Sequence, residues 1–246
     1  MRINVLGIRF HDITKEEMKE ILRRHLEDGP LLRIVTPNPE IVMAAQNQQL
    51  RAIINGAGLV LKDGVGIKWA EKLKGIQGKP RITGIETLHS ILDLLHEERK
   101  TLYVVGSKEE VLTEAIDAMK KQYPHMEIVG HHHGYFELES PTAKQILEDI
   151  KKIRPHAVVV AMGFPKQEIF MDHLDDESAS IALGCGGSLD VLSGRTKRAP
   201  KWMQSWGLEW LYRLFQEPSR WKRQLQIPRF LFKIVGKKNS CFLEEE

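Results

Sequence analysis

Cysteine is nearly absent from these 246 residues. The two that occur, Cys185 and Cys241, cannot build a disulfide framework, and there is no Cys-x-x-Cys or Cys/His ligand spacing. A reducing, cytoplasmic setting is the resulting expectation. No run reaches the roughly 18 to 20 apolar residues that span a bilayer, and MRINVLGIRFHDITKEE lacks the charged-then-apolar pattern of a signal peptide. Neither secretion by that route nor an integral membrane position is expected. Net charge is scarce as well: 36 Lys and Arg face 33 Asp and Glu, a balance of +3 that by itself points to no polyanionic partner. None of the aspartates forms an Asp-x-Asp pair, the usual metal clamp of sugar-nucleotide enzymes, so a bound divalent ion is not implied; no cofactor is expected either.

What is present is enough apolar content, 42%, for one large domain or two small ones. The near-neutral charge also conceals an asymmetry. From Arg195 to Lys238 there are 12 basic residues and only Glu209 and Glu217 as acids, a net of +10, whereas residues 1–194 carry −4. Trp202, Trp206, Trp210 and Trp221, four of the five tryptophans, lie in the same basic stretch.

β-branched apolar runs alternate with helical patterns over most of the chain, the signature of a parallel sheet covered by helices. Thr14 with Glu17, and Thr83 with Glu86, are capping boxes that open amphipathic helices. Strands are expected at 31–36, 58–62, 101–106, 126–130, 156–161 and 179–183. Between the first two, a single helix is expected through IVMAAQNQQLRAII. The fold class is therefore α/β, a doubly wound, mostly parallel, Rossmann-like sheet over residues 1–194, with binding sites where strand ends meet helix starts. Residues 195–246 read as a helical, basic, Trp-rich appendage broken by Pro200, Pro218 and Pro228, and NSCFLEEE reads as a frayed tail.

Four clusters fall at expected strand ends. Thr36-Pro37-Asn38-Pro39-Glu40 combines a rigid backbone with short hydrogen-bonding side chains that suit a sugar hydroxyl or phosphate, although Asn38 can equally be a helix cap. Lys62-Asp63-Gly64-Val65-Gly66 puts a carboxylate at a strand-to-helix turn, where it either caps the helix or takes a proton from an acceptor hydroxyl. In Gly163-Phe164-Pro165-Lys166-Gln167-Glu168, Lys166 and Gln167 suit nucleotide contacts or simply a solvated first turn. Gly184-Cys185-Gly186-Gly187-Ser188-Leu189-Asp190 can present backbone N–H groups to an anion but is neither a Walker loop nor a dinucleotide fingerprint. His131-His132-His133 has the wrong spacing for three ligands on one metal, because strand neighbours point to opposite faces. A solvated turn, or one of these histidines or Tyr135 lining a cleft, fits better.

The segment 201–235 pairs Trp, Leu and Phe faces with Arg and Lys, which suits a membrane surface bearing anionic lipid. Packing on the sheet or burial against a second copy in a homo-oligomer would also cover it. No nucleic-acid module is recognisable, and no nucleic-acid partner is expected.

Together, Thr-Pro-Asn-Pro-Glu at 36–40, Asp-Gly-Val-Gly at 63–66, Val-Gly-His-His-His-Gly-Tyr-Phe at 129–136, Gly-Phe-Pro-Lys-Gln-Glu at 163–168, Gly-Gly-Ser-Leu-Asp at 186–190 and the Lys-Arg-Ala-Pro to Glu-Pro stretch at 197–218 resemble the WecG/TagA/CpsF family of bacterial glycosyltransferases. The resemblance implies metal-independent, inverting transfer from a UDP-sugar donor to an undecaprenyl-diphosphate-linked acceptor by a cytoplasmic enzyme, peripheral at the inner face of the membrane. In the branch that makes the linkage unit of wall teichoic acid, N-acetylmannosamine passes from UDP-ManNAc, β-1,4, to GlcNAc-diphospho-undecaprenol. It implies Asp63 as the base, Thr36, Asn38 and Gln167 in the same pocket, and Arg213, Arg220 and Arg223 on the diphosphate as the appendage closes over the site; Lys166, Gly186 and Gly187, from the clusters above, complete the expected substrate-binding residues. UDP-ManNAc uronate or UDP-glucose are alternative donors, and a non-catalytic nucleotide- or nucleic-acid-binding regulator is the alternative of another class. Two departures stand out. Lys62 replaces a proline before the Asp, bringing charge next to the pocket, and Leu189 replaces a Phe.

Overall fold

The computed structural model describes residues 1–197, 199, 200, 202, 203, 206, 208–216 without the Arg213 side chain, 221, 225–237 and 239–244. It begins with a hairpin. Ile3, Val5, Ile8 and Phe10 alternate inward, and Leu6 and Gly7, at φ +53° and +95°, form the two-residue turn that joins antiparallel β1 (Arg2–Val5) and β2 (Ile8–His11). Then come α1 (Lys15–Asp28), opened by the Thr14–Glu17 capping box, and β3 (Leu32–Val35). The single helix expected next is instead two, α2 (Pro39–Ala44) and α3 (Gln48–Asn55). Asn47 divides them, its Oδ1 accepting from the N–H groups of Gln49 and Leu50 as a new N-cap.

The remaining elements follow the expected rhythm: β4 (Leu59–Val60), α4 (Val65–Leu73), α5 (Gly84–Glu97) behind the Thr83–Glu86 capping box, β5 (Thr101–Gly106), α6 (Glu109–Gln122), β6 (Glu127–His132), α7 (Pro141–Ile153), β7 (Ala157–Ala161), α8 (Lys166–Asp172), β8 (Ile181–Gly184) and α9 (Ser188–Leu192). Six strands form one all-parallel sheet in the order β4-β3-β8-β7-β5-β6. Both faces are covered, which is why its strands read as continuous apolar runs. Val159, Leu183 and Leu102 pack with α1, α5 and α6, while Val158, Val160 and Ala182 face Val42 of α2, Ile67 of α4, Ile146 of α7 and Phe170 of α8.

Beyond residue 195, α10 (Glu209–Gln216) and α11 (Gln226–Gly236) are followed by β9 (Cys241–Glu244). The expected frayed tail is corrected here, because β9 pairs antiparallel with β1, Val5 opposite Cys241 and Arg2 opposite Glu244, and completes a three-stranded sheet. Asn4 Nδ2 donates to Glu244 Oε1 at 2.6 Å, and the Leu6 N–H donates to the Ser240 carbonyl at 2.7 Å. On α11, Phe230 and Ile234 are fully buried against α2 and α4. Among the described residues, no helix is long and apolar enough to cross a membrane.

Candidate active site

The carboxyl ends of β3, β4, β5, β7 and β8 open into one cleft with two lobes. The larger, about 730 Å³, is bordered by Thr36, Ser107, Tyr135, Lys166, Gln167 and Gly186; the smaller, about 170 Å³, by Arg81, Thr83, Ser188, Glu209, Trp210 and Ile227. Asn38, Glu40, Asp63, Cys185 and Gly187 border both. Asp63 thus stands at the junction, where a group bound in one lobe meets a group bound in the other.

The first two sequence clusters are held together by glycine. A Cβ on Gly66 would lie 2.5 Å from Pro39 Cγ, so the start of α4 rests directly on the start of α2. Gly64, at φ +76°, turns the chain beside Asp63 and donates its N–H to Asp63 Oδ1 at 2.6 Å. The Asp63 N–H in turn donates to the Pro37 carbonyl at 3.3 Å. Asn38 is both things the sequence allowed. Its Oδ1 caps α2 by accepting the Ile41 N–H at 3.0 Å, and the residue borders the cleft.

Lys166 and Gln167 reach the cleft but are also engaged within the protein. Lys166 Nζ donates to the carbonyls of Gly134, at 3.0 Å, and Phe136, and lies 4.9 Å from the centroid of the Phe136 ring. It ties down the loop that carries Tyr135, which is 67% exposed at the cleft edge. Gln167 is buried, its Oε1 accepting the Gly186 N–H at 2.9 Å and its Nε2 donating to Glu168 Oε1 at 3.0 Å. Burial pushes the Glu168 carboxyl up to about 6. Burial likewise pushes the Cys185 thiol up to about 12, so this cleft cysteine is not a thiolate nucleophile at neutral pH.

Lys62 does not bring its charge to the cleft. It is buried, donating to Asp12 Oδ1 and to the Lys79 carbonyl at 3.0 Å, with Glu71 Oε1 at 3.1 Å. Leu189 is fully buried in the core. The His131-His132-His133 side chains border neither lobe: the His132 ring packs on His133 and, edge to face, on Phe136. Among the described residues no group of three His, Cys, Asp or Glu is arranged to hold a metal ion. Arg220 and Arg223 lie outside the described residues. Arg213 lies on α10, but its side chain is outside them.

Several bordering residues escaped the reading of the sequence. Ser107 and Lys108 follow β5 just as the four clusters follow their strands, so Gly106-Ser107-Lys108 is a fifth of the same kind. Ser107 adopts φ +55°, uncommon for a residue with a side chain, and is held by bonds to Ala161 and Gly134 at the start of α6. Arg195 borders the larger lobe while making a bidentate pair with Glu114 at 2.6 and 2.8 Å. Arg81 borders the smaller lobe 3.5 Å from Glu209 of α10, which brings the appendage onto the cleft rim. The Trp210 indole N–H, also at this lobe, is buried without a protein acceptor among the described residues. No local pattern marks Arg81, and Trp210, although it lies in the basic Trp-rich stretch, follows no strand of the sheet; folding brings their segments together.

Residues 3–241 match the glycosyl transferase WecG/TagA/CpsF family. Among similar proteins is one from Bacillus spizizenii that is 36% identical over 82% of this chain and 78% of its own. Another, from Bacillus subtilis, is 33% identical over 90% and 86%, and one from Staphylococcus aureus strain MW2 is 35% identical over 97% and 94%. All three are named N-acetylglucosaminyldiphosphoundecaprenol N-acetyl-beta-D-mannosaminyltransferase. A family match over residues 3–241, with relatives 33–36% identical over most of the chain, places the chain in the WecG/TagA/CpsF family as an enzyme of glycosyl transfer.

Proposed function

We propose that the protein transfers N-acetylmannosamine from UDP-ManNAc to GlcNAc-diphospho-undecaprenol, with β-1,4 linkage and inversion, in building the linkage unit of wall teichoic acid or a related surface polymer. The observation that carries this reading is the position of Asp63 at the junction of the two lobes, on a chain whose relatives bear that activity in their names. The larger lobe takes the donor and the smaller takes the acceptor sugar with its diphosphate. Asp63 accepts the proton of the acceptor hydroxyl as that oxygen bonds to C1, and the bond from C1 to the UDP oxygen breaks. Ser107 and Lys108 at the start of α6, and Arg195 across the larger lobe, suit the charge that develops on the departing diphosphate without calling on a metal. Glu40, bordering both lobes, suits sugar hydroxyls, and Arg81 suits the acceptor diphosphate. Arg213, Arg220 and Arg223 would add to that grip.

The appendage, residues 195–246, is on this reading also the membrane contact, acting at the inner face. Trp206, Phe215 and Phe232 are each more than 70% exposed in a segment of net positive charge. The test is a donor screen against a synthetic GlcNAc-diphosphate-lipid acceptor, read by product mass, with UDP-ManNAc, UDP-ManNAc uronate and UDP-glucose in parallel. UDP-ManNAc is expected to give the disaccharide lipid, and Asp63→Asn to lower its rate by about 10²- to 10⁴-fold with UDP affinity retained. Product from another donor alone would overturn the donor assignment, and full activity of Asp63→Asn would overturn Asp63 as base.

A further inference from the structure

Glu168 is a buried carboxylate with no place in the chemistry above. Its side chain is 2% exposed, its Oε1 accepts from Gln167 Nε2 at 3.0 Å, and its Oε2 is buried without a partner among the described residues. A buried carboxylate with one oxygen unsatisfied is costly to keep. Its Oε1 is bonded to the residue beside it, and that residue reaches the cleft.

A glutamine amide has two orientations related by a half turn, which exchange its carbonyl and its NH2. At Gln167 they are not equivalent. The carbonyl oxygen accepts the Gly186 N–H at 2.9 Å, and the opposite end of the amide meets Glu168. An ionised carboxylate can only accept, so it holds the NH2 on its own side and turns the carbonyl toward Gly186. In the other orientation the NH2 would face the Gly186 N–H, donor against donor. The amide has little room to find a third position, because it lies against the backbone of Gly184, where a Cβ would come within 2.9 Å of Nε2. Gly186, at φ +50°, and Gly187 form the turn that borders the larger lobe, Gly187 sharing the junction with Asp63.

We propose that Glu168 is a positioning residue: by accepting only, it fixes the Gln167 amide, and through the Gly186 N–H it fixes the glycine turn against which the donor's diphosphate lies. The glycine-turn end of the proposal rests on the functional reading above; the brace itself does not. With burial raising the carboxyl only to about 6, the ionised form prevails at neutral pH.

The full chain would be compared with Glu168→Gln, which keeps the shape but can donate as well as accept, and Glu168→Asp, which keeps the accept-only group but withdraws it by one methylene. Hydrogen exchange at the Gly186 amide is read by mass spectrometry alongside UDP affinity by calorimetry, donor and acceptor KM, and the melting temperature. Expected for Glu168→Gln are roughly tenfold faster exchange at Gly186 and roughly tenfold weaker UDP binding and higher donor KM, with acceptor KM and melting temperature not lowered. Glu168→Asp is expected between that variant and the parent. A packing role predicts the reverse ranking, with the isosteric Gln nearer the parent and loss of activity following loss of stability. That ranking, or unchanged Gly186 exchange in Glu168→Gln, would overturn the proposal. If the parent transfers no sugar, the functional reading fails, and the exchange measurement still decides the brace.

Discussion

Replacing Lys62 by Met tests how the chain keeps a charged side chain next to Asp63 without charging the cleft. Lys62, Asp12 and Glu71 are each 1–2% exposed at the side chain, and the Lys62 ammonium meets both carboxylates. Removing one partner of a buried ion pair usually costs about 3–5 kcal/mol, because the other charge is stranded away from water. Here each carboxylate keeps another partner: Asp12 Oδ1 still accepts the Lys79 N–H at 2.8 Å, and Lys68 still pairs with Glu71. The lower end, about 3 kcal/mol, is therefore expected. For a chain of this size that lowers the melting temperature by roughly 6–12 °C. Urea and thermal unfolding followed by circular dichroism would measure it. Adding Asp12→Asn to Lys62→Met removes one stranded charge and is expected to recover about half of the loss. Transfer by Lys62→Met below its melting range is expected within a few-fold of the parent, since the Lys62 side chain does not border the cleft. A loss below about 1 kcal/mol, or a double variant no more stable than the single, would refute the reasoning. Wild-type stability with activity reduced by more than about tenfold would show that Lys62 acts on Asp63 directly.

Phe230→Ala empties a fully buried site under α11 and is expected to cost about 3–5 kcal/mol in urea unfolding; a cost under about 1 kcal/mol would mean that α11 is not anchored there. Gly66→Ala places a Cβ within 2.5 Å of Pro39 and is expected to lower transfer by at least tenfold by separating the Asn38 and Asp63 turns, which steady-state kinetics would show. Glu168 also makes a pH prediction. Its carboxyl holds its proton up to about 6 when folded and to the ordinary 4.5 when unfolded, so its contribution to stability is full below about 4.5 and lost as pH rises through about 6. The parent should lose about 2 kcal/mol relative to Glu168→Gln across that window, measured as paired urea titrations at pH 4.5 and 7. A difference that does not change with pH would place the carboxyl outside that range.

Local chemistry made much of the fold legible. Thr14 with Glu17 and Thr83 with Glu86 open helices because each box closes within four residues, and Val158 to Val160 announce a strand buried on both faces. The hairpin at Ile3 to Phe10 was readable from its alternation and its Leu6-Gly7 turn, but strands of four residues give a weak pattern. Nothing local says that β8 inserts between β3 and β7, or that Cys241–Glu244 has a partner. The cleft divides in the same way. Thr36, Asn38, Asp63 and Gly187 are found by the rule that ligands gather at strand ends, whereas Arg81 and Trp210 reach the site from segments with no such marker.

The ladder between residues 2–5 and 241–244 also bears on how the protein is made. A ribosome releases the β1–β2 hairpin more than two hundred residues before the strand that completes its sheet. At about 5–20 residues per second that interval lasts roughly ten seconds or more. Through it the six-stranded sheet can assemble, while Ile3 and Val5 lack their neighbour and the apolar surface destined for Phe230 and Ile234 stays open. The nascent chain is thus most exposed to aggregation, and most in need of a chaperone, on the flank that residues 226–244 close.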